Sequence, residues 1–66
     1  MVTEWELWAC ANTMHRNHGS GAPAAIAERI ETLAREHDTA GVATWRAIAE
    51  RYARLIAAPG ETTLRH

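Results

Sequence analysis

The sequence predicts an all-α fold, a small three-helix domain in which the second and third helices form an αα-hairpin. Alanine is the commonest residue and arginine supplies every Lys or Arg cation, and both residues have high helix propensity. Apolar residues recur at helical spacing, and no segment alternates with the period of two that a β-strand shows. With 66 residues the chain forms one domain, which is predicted to cover residues 1–58 and to be followed by a flexible tail of residues 59–66.

The first helix is predicted from about Glu4 to His18. Thr3 and Glu6 have the spacing of a capping box, in which each side chain accepts the backbone N–H of the other residue. Glu4 and Glu6 are also acids of the first turn, which the helix dipole stabilises. Gly19 follows the helix and suits the left-handed conformation that often ends one. The apolar line of this helix is Leu7, Ala11 and Met14, and His18 falls on the same line.

The second helix is predicted from about Ala22 to Glu36 or His37. It follows the glycine-rich turn HGSGAP, and Pro23 fits a first helical turn, where its missing N–H costs nothing. Its apolar stripe is Ile26, Ile30, Leu33 and Ala34.

The third helix is predicted from about Thr39 to Ala57, and Pro59 is expected to lie beyond its end. Asp38 is its predicted N-cap, because a carboxylate there can accept a backbone N–H of the first turn. We expect Trp45 near the centre of the core. The apolar stripe is Val42, Trp45, Ile48, Ala49, Tyr52, Leu55 and Ile56.

Composition and charge exclude several classes of protein. The net charge of −1 argues against a general affinity for nucleic acid or anionic lipid. The single cysteine cannot form an internal disulfide. No apolar run approaches the roughly 18 residues that span a bilayer, and the N-terminus lacks the pattern of a signal peptide. We therefore expect a cytoplasmic protein that does not associate with membranes.

The stretch WACANTMHRNH places Cys10, His15 and His18 close together in the sequence. On a helix Cys10 and His15 point more than a quarter-turn apart, and His37 is expected about 20 Å or more from His18. Four ligands therefore cannot converge as a structural zinc ion requires, and Cys10 has no base within reach. We predict no catalytic residue, no cofactor and no metal ligand, and hence no enzyme. Whether His15 and His18 share a metal ion across an interface stays open.

Several segments of the chain resemble a known group of sequences. They are WELWACA, IAERI and DTAGVATWRAIAERY, and the similarity extends from about Thr3 to Leu55. The chain resembles a family of short, uncharacterised bacterial helical proteins, a domain of unknown function. This resemblance implies a compact helical protein and transfers no catalytic residue. The similar sequences have Gly before the Asp of the second turn, where this chain has His37.

Two classes of function fit this outline, and we favour a non-enzymatic interaction module. Such a module is an adaptor or regulator that binds another protein or itself, as a homodimer. Trp5 points about 140° away from the apolar line of its helix. The apolar arc of the third helix is wider than one core needs, so that Ile48 or Leu55 is expected to stay open to solvent. The candidate interface residues are Trp5, Trp8, Ile48 and Leu55.

The alternative is a nucleic-acid-associated regulator that uses arginines of the third helix. Arg46, Arg51 and Arg54 are the residues that would contact phosphates. They spread over more than about 100° of the helix and alternate with Glu50. This distribution, with the slightly acidic net charge, favours the interaction module.

Overall fold

Helix α1 spans Glu4–His18 in a computed structural model that describes the backbone of residues 2–64 and the side chains of residues 2–57. Its first turn carries the predicted capping box. The Thr3 hydroxyl accepts a hydrogen bond from the Glu6 N–H at 3.2 Å, and the Glu6 carboxylate accepts one from the Thr3 N–H at 2.8 Å. The helix ends at Gly19, whose φ of 54° and ψ of −127° suit a residue without a Cβ. Both predicted ends of α1 are confirmed.

Helix α2 spans Ala22–Arg35 and follows a single 3₁₀ turn, Gly19–Gly21. Pro23 lies in its first turn, as predicted. The helix ends slightly before the predicted boundary at Glu36 or His37, because the backbone of His37 turns out of the helix with a φ of 62°.

The end of α2 is a Schellman motif with histidine in the position that glycine usually occupies. The His37 N–H donates to the Ala34 carbonyl at 3.0 Å, and the Asp38 N–H donates to the Leu33 carbonyl at 2.9 Å. A left-handed conformation costs a residue with a Cβ about 1–2 kcal/mol. Both hydrogen bonds of the motif form here although histidine, rather than glycine, takes the left-handed conformation.

Helix α3 spans Thr39–Leu64 and begins at the predicted N-cap. The Asp38 carboxylate accepts the N–H of Gly41 at 2.9 Å, which confirms its capping role. The predicted end at Ala57 is wrong, since the helical backbone continues to Leu64. An interior proline removes one backbone hydrogen bond and crowds the carbonyl four residues before it, at about 3 kcal/mol, and the helix continues through Pro59 in spite of this cost. The predicted flexible tail lies outside the residues with described side chains and stays a prediction.

The three helices enclose one apolar core, and residues 2–64 contain no strand, which confirms the all-α prediction. Ile48 is its largest fully buried side chain, with 1% of its surface exposed. The expectation that Ile48 or Leu55 stays open to solvent is wrong for Ile48, because α1 and α2 both pack against α3 and enclose it, whereas Leu55 is half-buried. The buried residues are Leu7, Ala11, Ala22, Ile26, Ile48 and Tyr52.

Trp45 lies at the edge of the core rather than at its centre. It is half-buried and packs against the buried residues from one side. On its other side the guanidinium carbon of Arg29 lies 5.3 Å from the ring centroid, a cation–π geometry. The central position that we expected for Trp45 is occupied by Ile48, one turn further along α3.

Candidate interaction surface

Trp5 is the clearest exposed apolar group on α1. It is 76% exposed and projects from the first turn, whereas Leu7 and Ala11 of the same helix are buried in the core. Val2, just before the helix, is 43% exposed. The prediction that Trp5 does not belong to the core is confirmed.

An ion pair joins the first turn of α1 to α3. The Nε and Nη2 atoms of Arg51 donate to the two carboxylate oxygens of Glu4 at 2.7 and 2.8 Å, a bidentate geometry. The Trp8 indole N–H donates to the same carboxylate at 2.9 Å. The hydrogen bond from Arg51 lowers the pKa of the Glu4 carboxyl and raises the pKa of the Arg51 guanidinium. Glu4 is therefore more than an acid at a helix terminus, because it fixes α1 to α3.

Trp8 and Leu55 flank this ion pair. Trp8 lies one helical turn beyond Glu4, and Leu55 lies one turn beyond Arg51. Both side chains are half-buried, so part of each faces solvent. Of the four predicted interface residues, Ile48 cannot contribute to a surface because it is buried in the core. We call the remaining three, Trp5, Trp8 and Leu55, the indole surface.

The arginines of α3 are largely engaged with carboxylates. Arg51 binds Glu4 and also donates from Nη1 to Glu50 at 2.8 Å, and Arg54 donates to Glu50 at 3.4 Å. Donors that already serve a carboxylate have to leave it before they can bind a phosphate. This arrangement weighs against the nucleic-acid alternative, which needs Arg51 and Arg54 together with Arg46.

A second apolar surface, which the sequence did not predict, is a groove of about 310 Å³ between α2 and α3. Ile56 is 51% exposed there, so a large aliphatic group meets solvent. The one signal in the sequence was the width of the apolar arc of α3, which runs from Leu55 round to Val42 and includes Ile56. The main lining residues are Pro23, Ile26, Ile30, Ala49, Tyr52 and Ile56.

The cysteine and histidines of α1 do not form a cluster. Cys10 is half-buried against the core, His18 is exposed, and the ring of the exposed His15 lies 6.0 Å from that of Tyr52. Within residues 2–57, whose side chains the structure describes, no three His, Cys, Asp or Glu side chains gather closely enough to hold a metal ion. Among the helices described, none is long and apolar enough to cross a lipid bilayer.

Comparison with known proteins bears on the family of the chain. No curated protein and no solved structure matches it. One family model matches residues 3–58, an extent close to that of the resemblance found in the sequence. The predicted relationship to a domain of unknown function is confirmed, whereas the bacterial origin stays a prediction. The chain belongs to a family of unknown function (DUF6961).

Proposed function

We propose that the protein is a small, non-enzymatic interaction module that self-associates as a homodimer through the indole surface. The observation that carries this proposal is the 76% exposure of Trp5. A large indole held in water on a chain of this size is a free-energy cost that association removes. The pairing of α2 and α3 as an αα-hairpin is part of the proposal, with α1 held on it by the Glu4–Arg51 ion pair.

The area that Trp5 exposes sets the strength of such an interface. An aromatic side chain buries about 150–250 Å². Burial of the exposed part of one indole is therefore worth about 3–5 kcal/mol at about 25 cal/mol per Å². Two copies contribute about twice this amount, which is comparable with the association cost of about 4–15 kcal/mol. Burial of the two Trp5 side chains alone thus roughly offsets the free-energy cost of association. The apolar groups around Trp5 therefore decide the affinity.

The experiment is light scattering over a concentration series that extends to the high micromolar range. We expect the mass to rise from the monomer value of 7.3 kDa toward twice that value. Trp5→Glu should stay monomeric, since a carboxylate on this surface is costly to bury. Thr13→Glu adds the same charge at another exposed position of α1 and is the matched control.

Circular dichroism of each variant establishes that the helices are retained. A wild-type chain that keeps the monomer mass throughout the series would remove the homodimer. Association that is equal in wild type and Trp5→Glu would remove Trp5 as its surface.

A further inference from the structure

We infer that Trp5 of one copy docks in the groove between α2 and α3 of a second copy, and that the exchange is reciprocal about a two-fold axis. This inference rests on the proposed self-association and names the surface that receives the indole. In a two-fold dimer each copy supplies one Trp5 and one groove, so the contact is made twice.

The groove has the size and chemistry that an indole needs. Its volume of about 310 Å³ is at the lower end of the range for binding pockets, so it suits a single large ring. Its lining is aliphatic except for Tyr52, whose hydroxyl is directed to the carbonyl of Gly19 at 3.4 Å. No buried side-chain N or O atom within the described residues lacks a hydrogen-bond partner. An entering indole therefore strips water from apolar groups and leaves no side-chain polar group of the groove unpaired, with its own N–H at the open edge of the groove.

The Trp5 of the same chain does not fill this groove. All the lining residues belong to α2 and α3, and Trp5 is 76% exposed in its own chain. The occupant of the groove therefore has to come from another molecule. A second copy of the chain brings a Trp5 indole whose exposed surface the groove can bury.

Reciprocal docking also covers the exposed apolar groups better than a contact between two Trp5 side chains. A Trp5–Trp5 contact would leave Ile56 at its present 51% exposure and the groove open. Docking in the groove buries Trp5 and Ile56 together, in both copies. One chain therefore carries two apolar surfaces of different shape, a projecting ring and a concave groove, which are complementary to each other.

The buried area predicts a dimer that dissociates on dilution. One docked indole and the groove surface it covers bury about 230–380 Å², and two such contacts bury about 460–760 Å². This area is below the roughly 1,200 Å² at which stable complexes begin, and a single Trp5–Trp5 contact would bury only about half as much. The test therefore needs a method that detects weak binding.

Two variants separate the two halves of the contact. Trp5→Glu keeps the groove and removes the indole. Ala53→Glu keeps the indole and places a carboxylate in the groove, at an exposed helical position where Glu is well tolerated. Ala43→Glu puts the same residue on an exposed position of α3 outside the groove and is the matched control. We expect Trp5→Glu and Ala53→Glu each to stay monomeric, and Ala43→Glu to associate like wild type.

Mixing the two variants then tests reciprocity. In NMR titrations, isotope-labelled Trp5→Glu should show shift changes at Ile26, Ile30 and Ile56 when unlabelled Ala53→Glu is added. Labelled Ala53→Glu should show a shift of the Trp5 indole N–H when unlabelled Trp5→Glu is added. We expect this binding to be about ten-fold or more weaker than wild-type association, because one of two linked contacts is lost.

Each outcome bears on a different claim. If Ala53→Glu associates like wild type while Trp5→Glu does not, self-association through Trp5 stands and docking in the groove is wrong. If the mixture shows no shift at either surface, the docking is wrong as well. If wild type itself keeps the monomer mass throughout the light-scattering series, the proposed function fails together with this inference.

Discussion

A methyl group at residue 41 would collide with the carboxylate that caps α3. Asp38 folds over the first turn and accepts the Gly41 N–H at 2.9 Å. A Cβ atom built on Gly41 would lie 2.6 Å from Asp38 Oδ2 and 2.9 Å from its Cγ, closer than real Cβ contacts. An alanine at this position therefore displaces the capping side chain. The stability that alanine gains from its higher helix propensity is offset by the loss of the cap.

The two opposing terms are of similar size. Replacement of Gly by Ala within a helix adds about 1 kcal/mol to the free energy of unfolding. Loss of an N-cap side chain removes about 1 kcal/mol. Gly41→Ala should therefore leave the stability nearly unchanged, and Asp38→Ala should lower it by about 1 kcal/mol. In the Asp38→Ala background, Gly41→Ala should restore about 1 kcal/mol, because no carboxylate remains to be displaced.

Thermal and urea unfolding of wild type, Asp38→Ala, Gly41→Ala and the double variant measure this double-mutant cycle. Its coupling free energy should be about 1 kcal/mol. For a domain of this size 1 kcal/mol moves the Tm by about 4–8 °C. Ala43→Gly, at an exposed interior position of α3, is the control and should lower the free energy of unfolding by about 1 kcal/mol through helix propensity alone. A rise of about 1 kcal/mol from Gly41→Ala in the wild-type background would show that the carboxylate does not lie over residue 41.

Three further predictions follow from the fold. His37→Gly should raise stability by about 0.5–1 kcal/mol, as the left-handed strain exceeds the added chain entropy; a lower Tm would contradict the φ of 62°. Ile48→Ala should lower the free energy of unfolding by about 2–5 kcal/mol, out of roughly 3–10 kcal/mol expected for a domain of this size. An unchanged urea midpoint would show that Ile48 does not lie at the centre of the core. Because Arg51 lowers the folded-state pKa of Glu4, the stabilisation from this pair is complete above the usual pKa of a glutamate and is lost as pH falls through the lowered value. The acid-induced fall in Tm should therefore be smaller in Glu4→Gln, and an equal fall in both proteins would show that the pair adds nothing.

The helix ends that could be predicted are those whose signals are local. Thr3 and Glu6 specify a capping box by their spacing alone, and Gly19 and Asp38 act within a few residues of the ends they form. The end of α3 could not be predicted in this way. Pro59 marks a frequent boundary because an interior proline costs a helix about 3 kcal/mol, and no local signal in the sequence indicates that α3 continues past it.

The centre of the core could not be read from the periodicity of α3. Its apolar arc includes both Trp45 and Ile48, and the spacing treats them alike. Which of them is enclosed depends on where α1 and α2 pack, and this is set by contacts between residues distant in the sequence. The Glu4–Arg51 pair is of the same kind, because its partners are 47 positions apart and only the packing of α1 on α3 brings them together.

The position of Trp5 in the fold supports a role in binding more strongly than its exposure alone. Its two neighbours in sequence both anchor the turn that carries it, Glu6 through the capping box and Glu4 through Arg51. An indole on a frayed terminus would have to lose backbone freedom on binding, at about 1–2 kcal/mol for each residue that becomes fixed. On this turn that entropy is already lost on folding, so more of the free energy from burying the indole is available for association. A large apolar side chain left exposed on an anchored backbone turn is the arrangement expected under the proposed role of Trp5 in binding.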